Sequence, residues 1–499
     1  MKMNVNVKQI MVFVLTICFV TVLSACSQTS ISTPPPERSL SGDLRLLEEK
    51  FSTLCWVAYA PTQFDPTLEE QPLLSREMSE NIREDLRVMY DAGFRGLVTY
   101  SALPPADQIP GIARDVGFEG VIIGVWNPNA QEEIERAASL TALVDGYVVG
   151  NEGLHFGRYT FDELMDAMNV LRQRTTKPVA TTEPWQAYTP GAALLSLGDW
   201  IFPNVHPYWA GQREPFWAVH WTVAEFERLR ASTAKPLIFR EVGLPTAGAS
   251  GMSEENQARF FGLLQQTDVR FVYFEGYDAP WKTDAPVEPH WGLFHADRAP
   301  KQAAGIVCGK AALPALEPLP TVAPGEAKEL PFVIYDEYRE NLPFAPSGWM
   351  GDVADLTLDM ANTSAPHTGQ TCIRIDYNAA GAQGWAGIYW QTPENNWGHQ
   401  PGGYDLDGAR ALSFWARSAE GGETAAFGVG GLGGEYRDSL WPARTSGPHK
   451  LSAEWREYRI DLHDADLHHV IGGFYVALSS NPDFEGDRTI FLDDIRYVP

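Results

Sequence analysis

Eight short apolar or β-branched runs, at 55–59, 96–100, 120–125, 146–150, 178–182, 200–205, 236–239 and 270–274, alternate with helical patterns in the first half of the chain. Between the first two runs, Ile82, Leu86 and Met89 fall at i, i+4 and i+7, one face of a helix. Thr160 with Glu163, and Thr222 with Glu225, have the spacing of capping boxes and predict helix starts there. Eight strand–helix units in this length predict a closed parallel (β/α)8 barrel, an α/β fold of the TIM type. The alternative is an open doubly wound sheet, but no Gly-rich phosphate loop follows the first run.

The remainder of the chain has another texture. Runs at 372–377, 411–416, 457–462, 473–478 and 489–495 are separated by Gly, Asp and Asn, with few helical periods. They predict an all-β jelly-roll sandwich. The Pro-rich stretch 313–331 reads as the linker between a barrel at 46–312 and a sandwich at 332–499.

The N-terminus reads as an export signal. Lys2 and Lys8 precede an apolar run at 10–23, which ends in Leu23-Ser24-Ala25-Cys26. This ending resembles the bacterial lipoprotein processing box, in which the cysteine is lipidated. Residues 1–26 are then the signal with its lipidation site Cys26, and 27–45 a Ser/Thr/Pro-rich tether. Ser27 in place of Asp implies, by the same resemblance, sorting to the outer membrane. Multiple acyl chains would hold the protein there. Of the remaining cysteines, Cys55 and Cys308 flank the barrel; a bridge between them and two separately buried thiols are both open.

The formal net charge is −26, which argues against a nucleic-acid partner and disfavours a polyanionic polysaccharide. Sixteen Trp and eighteen Tyr fill cores or stack on sugar faces. In a barrel the functional groups stand where the strands end. The fourth run ends at Asn151-Glu152 and the seventh leads into Arg240-Glu241. Two carboxylates across one mouth, with aromatic walls and no soluble cofactor motif, suit glycosidic bond cleavage. One carboxyl protonates the departing oxygen while the other meets the developing oxocarbenium.

Four motifs carry a resemblance: Val148-Val149-Gly150-Asn151-Glu152, Asn204-Val205-His206-Pro207-Tyr208, Arg240-Glu241-Val242-Gly243-Leu244-Pro245, and the stretch from Phe274-Glu275 to Trp281-Lys282. In this order the barrel resembles glycoside hydrolase family 17, the β-1,3-glucanase family of retaining (β/α)8 enzymes. The resemblance implies Glu152 as acid/base, Glu241 as nucleophile and Asn151 as the amide at the sugar 2-hydroxyl. It implies sugar contacts for Glu275 and Lys282. Tyr208 could hold the nucleophile, with His206 beside it. Tyr59, Trp185 and Trp281 are candidate stacking surfaces. Leu244 departs from the family's Trp in that segment, which bears on fine specificity. The implied partner is a neutral β-glucan. The alternatives are transfer to a sugar acceptor, and a glycan-binding envelope protein with a silent barrel.

In the sandwich, 491–497 resembles the last strand of carbohydrate-binding modules. Asp336, Glu337 and Asp493 could there hold a structural Ca²⁺.

Overall fold

Parallel pairing organises the first unit. In the computed structural model, which describes residues 42–68, 75–188, 191–309, 315–381, 384–479 and 488–499, seven strands form one parallel sheet. They are β1 (Trp56–Ala58), β2 (Gly96–Val98), β3 (Gly120–Val125), β4 (Gly146–Val149), β5 (Val179–Ala180), β6 (Phe239–Val242) and β7 (Phe271–Tyr273), in the order β5-β4-β3-β2-β1-β7-β6. All residues of β1 to β6 are buried, as expected of strands covered on both faces.

The gap between β5 and β6 is filled by the sixth apolar run. It pairs in parallel with both neighbours through the bridges Pro184↔Asn204, Ile201↔Leu237 and Asn204↔Glu241. Asn204 N–H donates to Glu183 O at 3.0 Å and Val205 N–H to Glu241 O at 2.8 Å, so the ring closes as a barrel.

The helices are α1 (Gly42–Thr53), α2 (Arg76–Ala92), α3 (Ile109–Val116), α4 (Gln131–Ser139), α5 (Phe161–Arg174), α6 (Leu194–Leu197), α7 (Pro215–Ala231) and α8 (Glu254–Leu264). α2 buries the predicted Ile82, Leu86 and Met89, and Ser75 caps its start. The Thr160–Glu163 capping box is complete at α5. The second predicted box is a correction: α7 starts at Pro215 with Glu214 as its cap. Thr222 lies inside it and donates to Ala218 O at 2.7 Å. α1 begins at Gly42, within the stretch read as tether, and buries Leu44, Leu47 and Phe51. Phe51 packs 5.1 Å from the Trp56 ring and 6.1 Å from Trp200. A Cβ on Gly96 would stand 2.2 Å from the Trp56 indole, so only glycine fits there. The export signal and Cys26 lie outside the described residues.

The second compact unit starts at Pro318, inside the Pro-rich stretch. Its strands are β8 (Glu326–Ala327), β9 (Phe332–Tyr335), β10 (Ala345–Gly351), β11 (Leu356–Asn362), β12 (Cys372–Tyr377), β13 (Trp385–Gln391), β14 (Tyr404–Asp405), β15 (Ala411–Ser418), β16 (Thr424–Val429), β17 (Arg444–Lys450), β18 (Arg456–Asp461), β19 (Gly472–Ser479) and β20 (Arg488–Val498). One antiparallel sheet runs β10-β13-β19-β16-β17; the other runs β11-β12-β20-β15-β18, with β9 also on β20. Alternate residues such as Ala386, Ile388 and Trp390 enter the shared core with Phe414, Phe427, Phe474 and Leu492. Trp397 stays exposed.

The acids expected to gather Ca²⁺ do not converge. Asp336 is ion-paired with Arg339. Glu337 accepts from the Gln370 N–H and, at 2.8 Å, from the Thr371 hydroxyl. Asp493 accepts from the His367 and Thr368 N–H groups at 2.9 and 3.2 Å. Calcium needs six to eight oxygen ligands around one point. Among the described residues no group of three or more His, Cys, Asp or Glu gathers to hold a metal. These carboxylates accept from loop residues instead.

Cys55 and Cys308 form a disulfide across 253 residues, and Cys372 is buried and free. Replacing both bridged cysteines by Ser is expected to lower unfolding stability by about 2–4 kcal/mol. Denaturant titration of the oxidised and substituted proteins measures this; coincident curves would contradict a structural bridge.

Candidate active site

β4 ends in a tight turn. Gly150 and Glu152 have φ of 75° and 56°, and Glu152, a non-glycine in the left-handed region, needs outside support. Its N–H donates to Thr182 O at 2.9 Å. Its Oε1 accepts from Asn204 Nδ2 at 2.9 Å, and the same amide donates to Asn151 Oδ1 at 3.3 Å. Thr182 donates its hydroxyl proton to Asn204 Oδ1 at 2.8 Å, which turns the amide nitrogen toward Glu152.

Glu241 lies in β6, 4% exposed. Its Oε2 is 3.3 Å from His206 Nε2, and its Oε1 is ion-paired with Arg240. The Arg240 guanidinium in turn lies 4.5 Å from the Tyr100 ring centre. Burial lowers the Arg240 pKa, while Tyr100 and Glu152 oppose that shift. Burial pushes His206 down to about 4, against the pull of nearby carboxylates. The imidazole is therefore neutral at pH 7, and with its proton on Nε2 it donates to Glu241. Its ring packs edge-on against Phe274 at 5.1 Å and Trp291 at 5.3 Å.

Glu275 is buried and bonded to Lys282 Nζ at 2.7 Å. Burial raises its pKa and the Lys282 charge opposes this. Glu288 is raised for the same reason, with Lys282 and His206 opposing. The structure thus brings Glu152, Asn151, Glu241, His206, Glu275 and Lys282 to one end of the barrel. Asn204, Arg240, Tyr100 and Glu288 join them without having been picked out as site residues. Asn204 and Arg240 stood inside the quoted motifs. Glu288 sits in a Glu-Pro-His turn that carries no pattern.

The aromatic candidates divide. Trp185 is half-buried, edge-on to Trp221 at 5.2 Å, and its N–H donates to Asn204 O at 3.0 Å. Trp281 is also half-buried. Tyr208 packs against Trp209 at 4.5 Å and Trp291 at 5.9 Å. Among the described residues no hydrogen bond joins it to Glu241; His206 takes that place. Tyr59 is a correction: it is fully buried and donates to Asp85 Oδ2 at 2.8 Å, so its ring is core, not a stacking surface. Leu244 is fully buried, with its carbonyl held by Gln257.

Residues 57–292 match the profile of the BtgE/BtgC glycoside hydrolase domain. The chain is 27% identical over 222 residues to a glucan 1,3-beta-glucosidase of Saccharomyces cerevisiae, covering 36% of this chain and 71% of the relative. It is 27% identical over 242 residues to one of Arthroderma benhamiae, covering 41% and 77%. A β-1,3-glucanosyltransferase of glycoside hydrolase family 17 from Rhizomucor miehei superposes with a TM-score of 0.43 and 19% identity, over 52% of this chain and 99% of that one. The barrel is a glycoside hydrolase domain.

The His206 ring should titrate with a midpoint about 4 by NMR. Between the unfolded value near 6.5 and this midpoint the unfolded chain binds a proton that the folded chain refuses. Its contribution to stability is therefore lost as pH falls through that window. A midpoint above 6.5 would contradict a neutral donor to Glu241.

Proposed function

We propose that the chain is a retaining glycosidase acting on β-1,3-linked glucan, with Glu241 as nucleophile and Glu152 as acid/base. The observation that carries this reading is Asn204. Its amide holds the Glu152 carboxylate and its backbone pairs with Glu241, so the two acids share one mouth.

The chemistry follows from the neighbours. A guanidinium and an imidazole N–H face Glu241, the surroundings a negatively charged nucleophile needs. Glu241 attacks the anomeric carbon while Glu152 gives its proton to the departing oxygen. Glu152 then takes a proton from the incoming acceptor and the glycosyl–Glu241 bond breaks. Water as acceptor gives hydrolysis; a sugar hydroxyl gives transfer. The Glu275–Lys282 pair and the aromatic side chains of the rim hold the glucan. Substrate choice draws on the names of the two curated relatives, both glucan 1,3-beta-glucosidases.

In this reading a lipid on Cys26 anchors the enzyme at the bacterial outer membrane, and the sandwich, with Trp397 on its surface, holds neutral glucan nearby. Tethering of this kind raises the local substrate concentration.

Laminarin cleavage should fall about 10²–10⁴-fold in Glu152→Gln, the usual worth of a general acid–base group, and at least as far in Glu241→Gln. Proton NMR of early product should show the β-anomer first. Unchanged rates in both variants, or α-anomer first, would contradict the assignment. A panel of β-1,3-, β-1,4-, β-1,6- and β-1,2-glucans tests the linkage.

A further inference from the structure

Three successive backbone N–H groups follow Glu152, and all three lead to one buried carboxylate. Leu154 N–H donates to Glu183 Oε1 at 3.0 Å and His155 N–H to Glu183 Oε2 at 3.1 Å. Gly153 N–H donates to Tyr159 Oη at 3.0 Å, and that hydroxyl lies 3.4 Å from Glu183 Oε1. The turn they belong to starts at Glu152, whose carbonyl accepts from Phe156 N–H at 3.0 Å. Its first amides have no helical partners of their own, as at any helix start, and an acceptor must come from elsewhere. Glu183 supplies it from the end of β5.

Glu183 is fully buried and touches the other side of the site through its backbone. Its carbonyl accepts from Asn204 N–H at 3.0 Å, and Asn204 holds the Glu152 carboxylate. Its neighbour Thr182 orients the Asn204 amide and accepts the Glu152 N–H. Glu183 is therefore not a surface acid. Burial, with the Glu152 charge adding to it, pushes its pKa up to about 8 against the two N–H bonds.

We propose that Glu183 is a positioning residue for the acid/base step: it clamps the turn that carries Glu152, and so fixes the direction from which the proton reaches the glycosidic oxygen. This rests on the reading of Glu152 as acid/base. A misplacement of about 1 Å in a reacting group costs on the order of 10²-fold in rate. The loss must be specific to substrates whose leaving group needs a proton.

The test compares kcat/KM, which reports steps up to glycosyl transfer to the enzyme, on laminarin and on 2,4-dinitrophenyl β-laminaribioside. The dinitrophenolate leaves without protonation. Glu183→Ala is expected to lose on the order of 10²-fold on laminarin and less than about 3-fold on the aryl substrate. Glu183→Gln keeps one acceptor oxygen for one of the two amides; it should lose about 10-fold on laminarin with the same sparing of the aryl substrate. It serves where the Ala variant does not fold. Glu152→Gln is the reference and should show the same division. Equal losses on both substrates in the Glu183 variants, or no loss on either, overturn the proposal while leaving Glu152 intact. If Glu152→Gln itself treats the two substrates alike, the acid/base assignment falls and takes this proposal with it.

Discussion

Closure of the parallel ring is the constraint on which the site depends. β5 and β6 are not neighbours in the sheet; they meet only through the segment around Asn204. That segment is bonded to Glu183 on one side and Glu241 on the other. Without it the ends of β4 and β6 would stand at opposite parts of an open sheet, and two carboxylates 89 positions apart in the sequence would have no shared mouth. Backbone pairing, which is nearly indifferent to side chains, thus does the first positioning. Asn204 then adds a side-chain bond at the same residue.

Buried charge in the barrel is answered locally. Asp85 is paired with Arg298 and accepts from Tyr59. Glu133 accepts from the Ser101 hydroxyl and from the N–H groups of Ala102, Trp126 and Asn127, tying the loops after β2 and β3. Asp278 is paired with Lys301. Each arrangement avoids the cost of an unpartnered buried ion. Asp85 on α2 and Glu133 on α4 bond to residues that follow β1, β2 and β3, and so tie the loops at that end of the barrel. The site is therefore held from beneath by polar contacts as well as by apolar packing.

Much of this was legible in the sequence, for a physical reason. Strands buried on both faces must be apolar runs, and a charged residue at the end of such a run stands out against it. The eight runs follow from that, as does the placing of Glu152 and Glu241 at run ends; the Glu275–Lys282 pair came only with the family resemblance. What escaped depends on partners far away in the chain. Tyr59 ends its run as a sugar-facing residue would, but its hydroxyl finds Asp85 on α2 and the ring turns into the core. The helix start expected at Thr222 failed because a local Thr-x-x-Glu spacing lies inside α7, where the hydroxyl bonds backward. Asp336, Glu337 and Asp493 carried the composition of a calcium site, yet backbone amides and Arg339 occupy their oxygens. Glu183 was visible as a residue but not as a clamp, because its partners are backbone N–H groups.

The claim beneath all of this is that Glu241 becomes covalently bonded to the sugar. Incubation with 2-deoxy-2-fluoro-β-laminaribiosyl fluoride, followed by peptide mass spectrometry, tests it directly. The account predicts a stable adduct of one disaccharide per chain on the peptide containing Glu241, with loss of activity in step with labelling. Labelling of another carboxylate, or inactivation without any adduct, would contradict it.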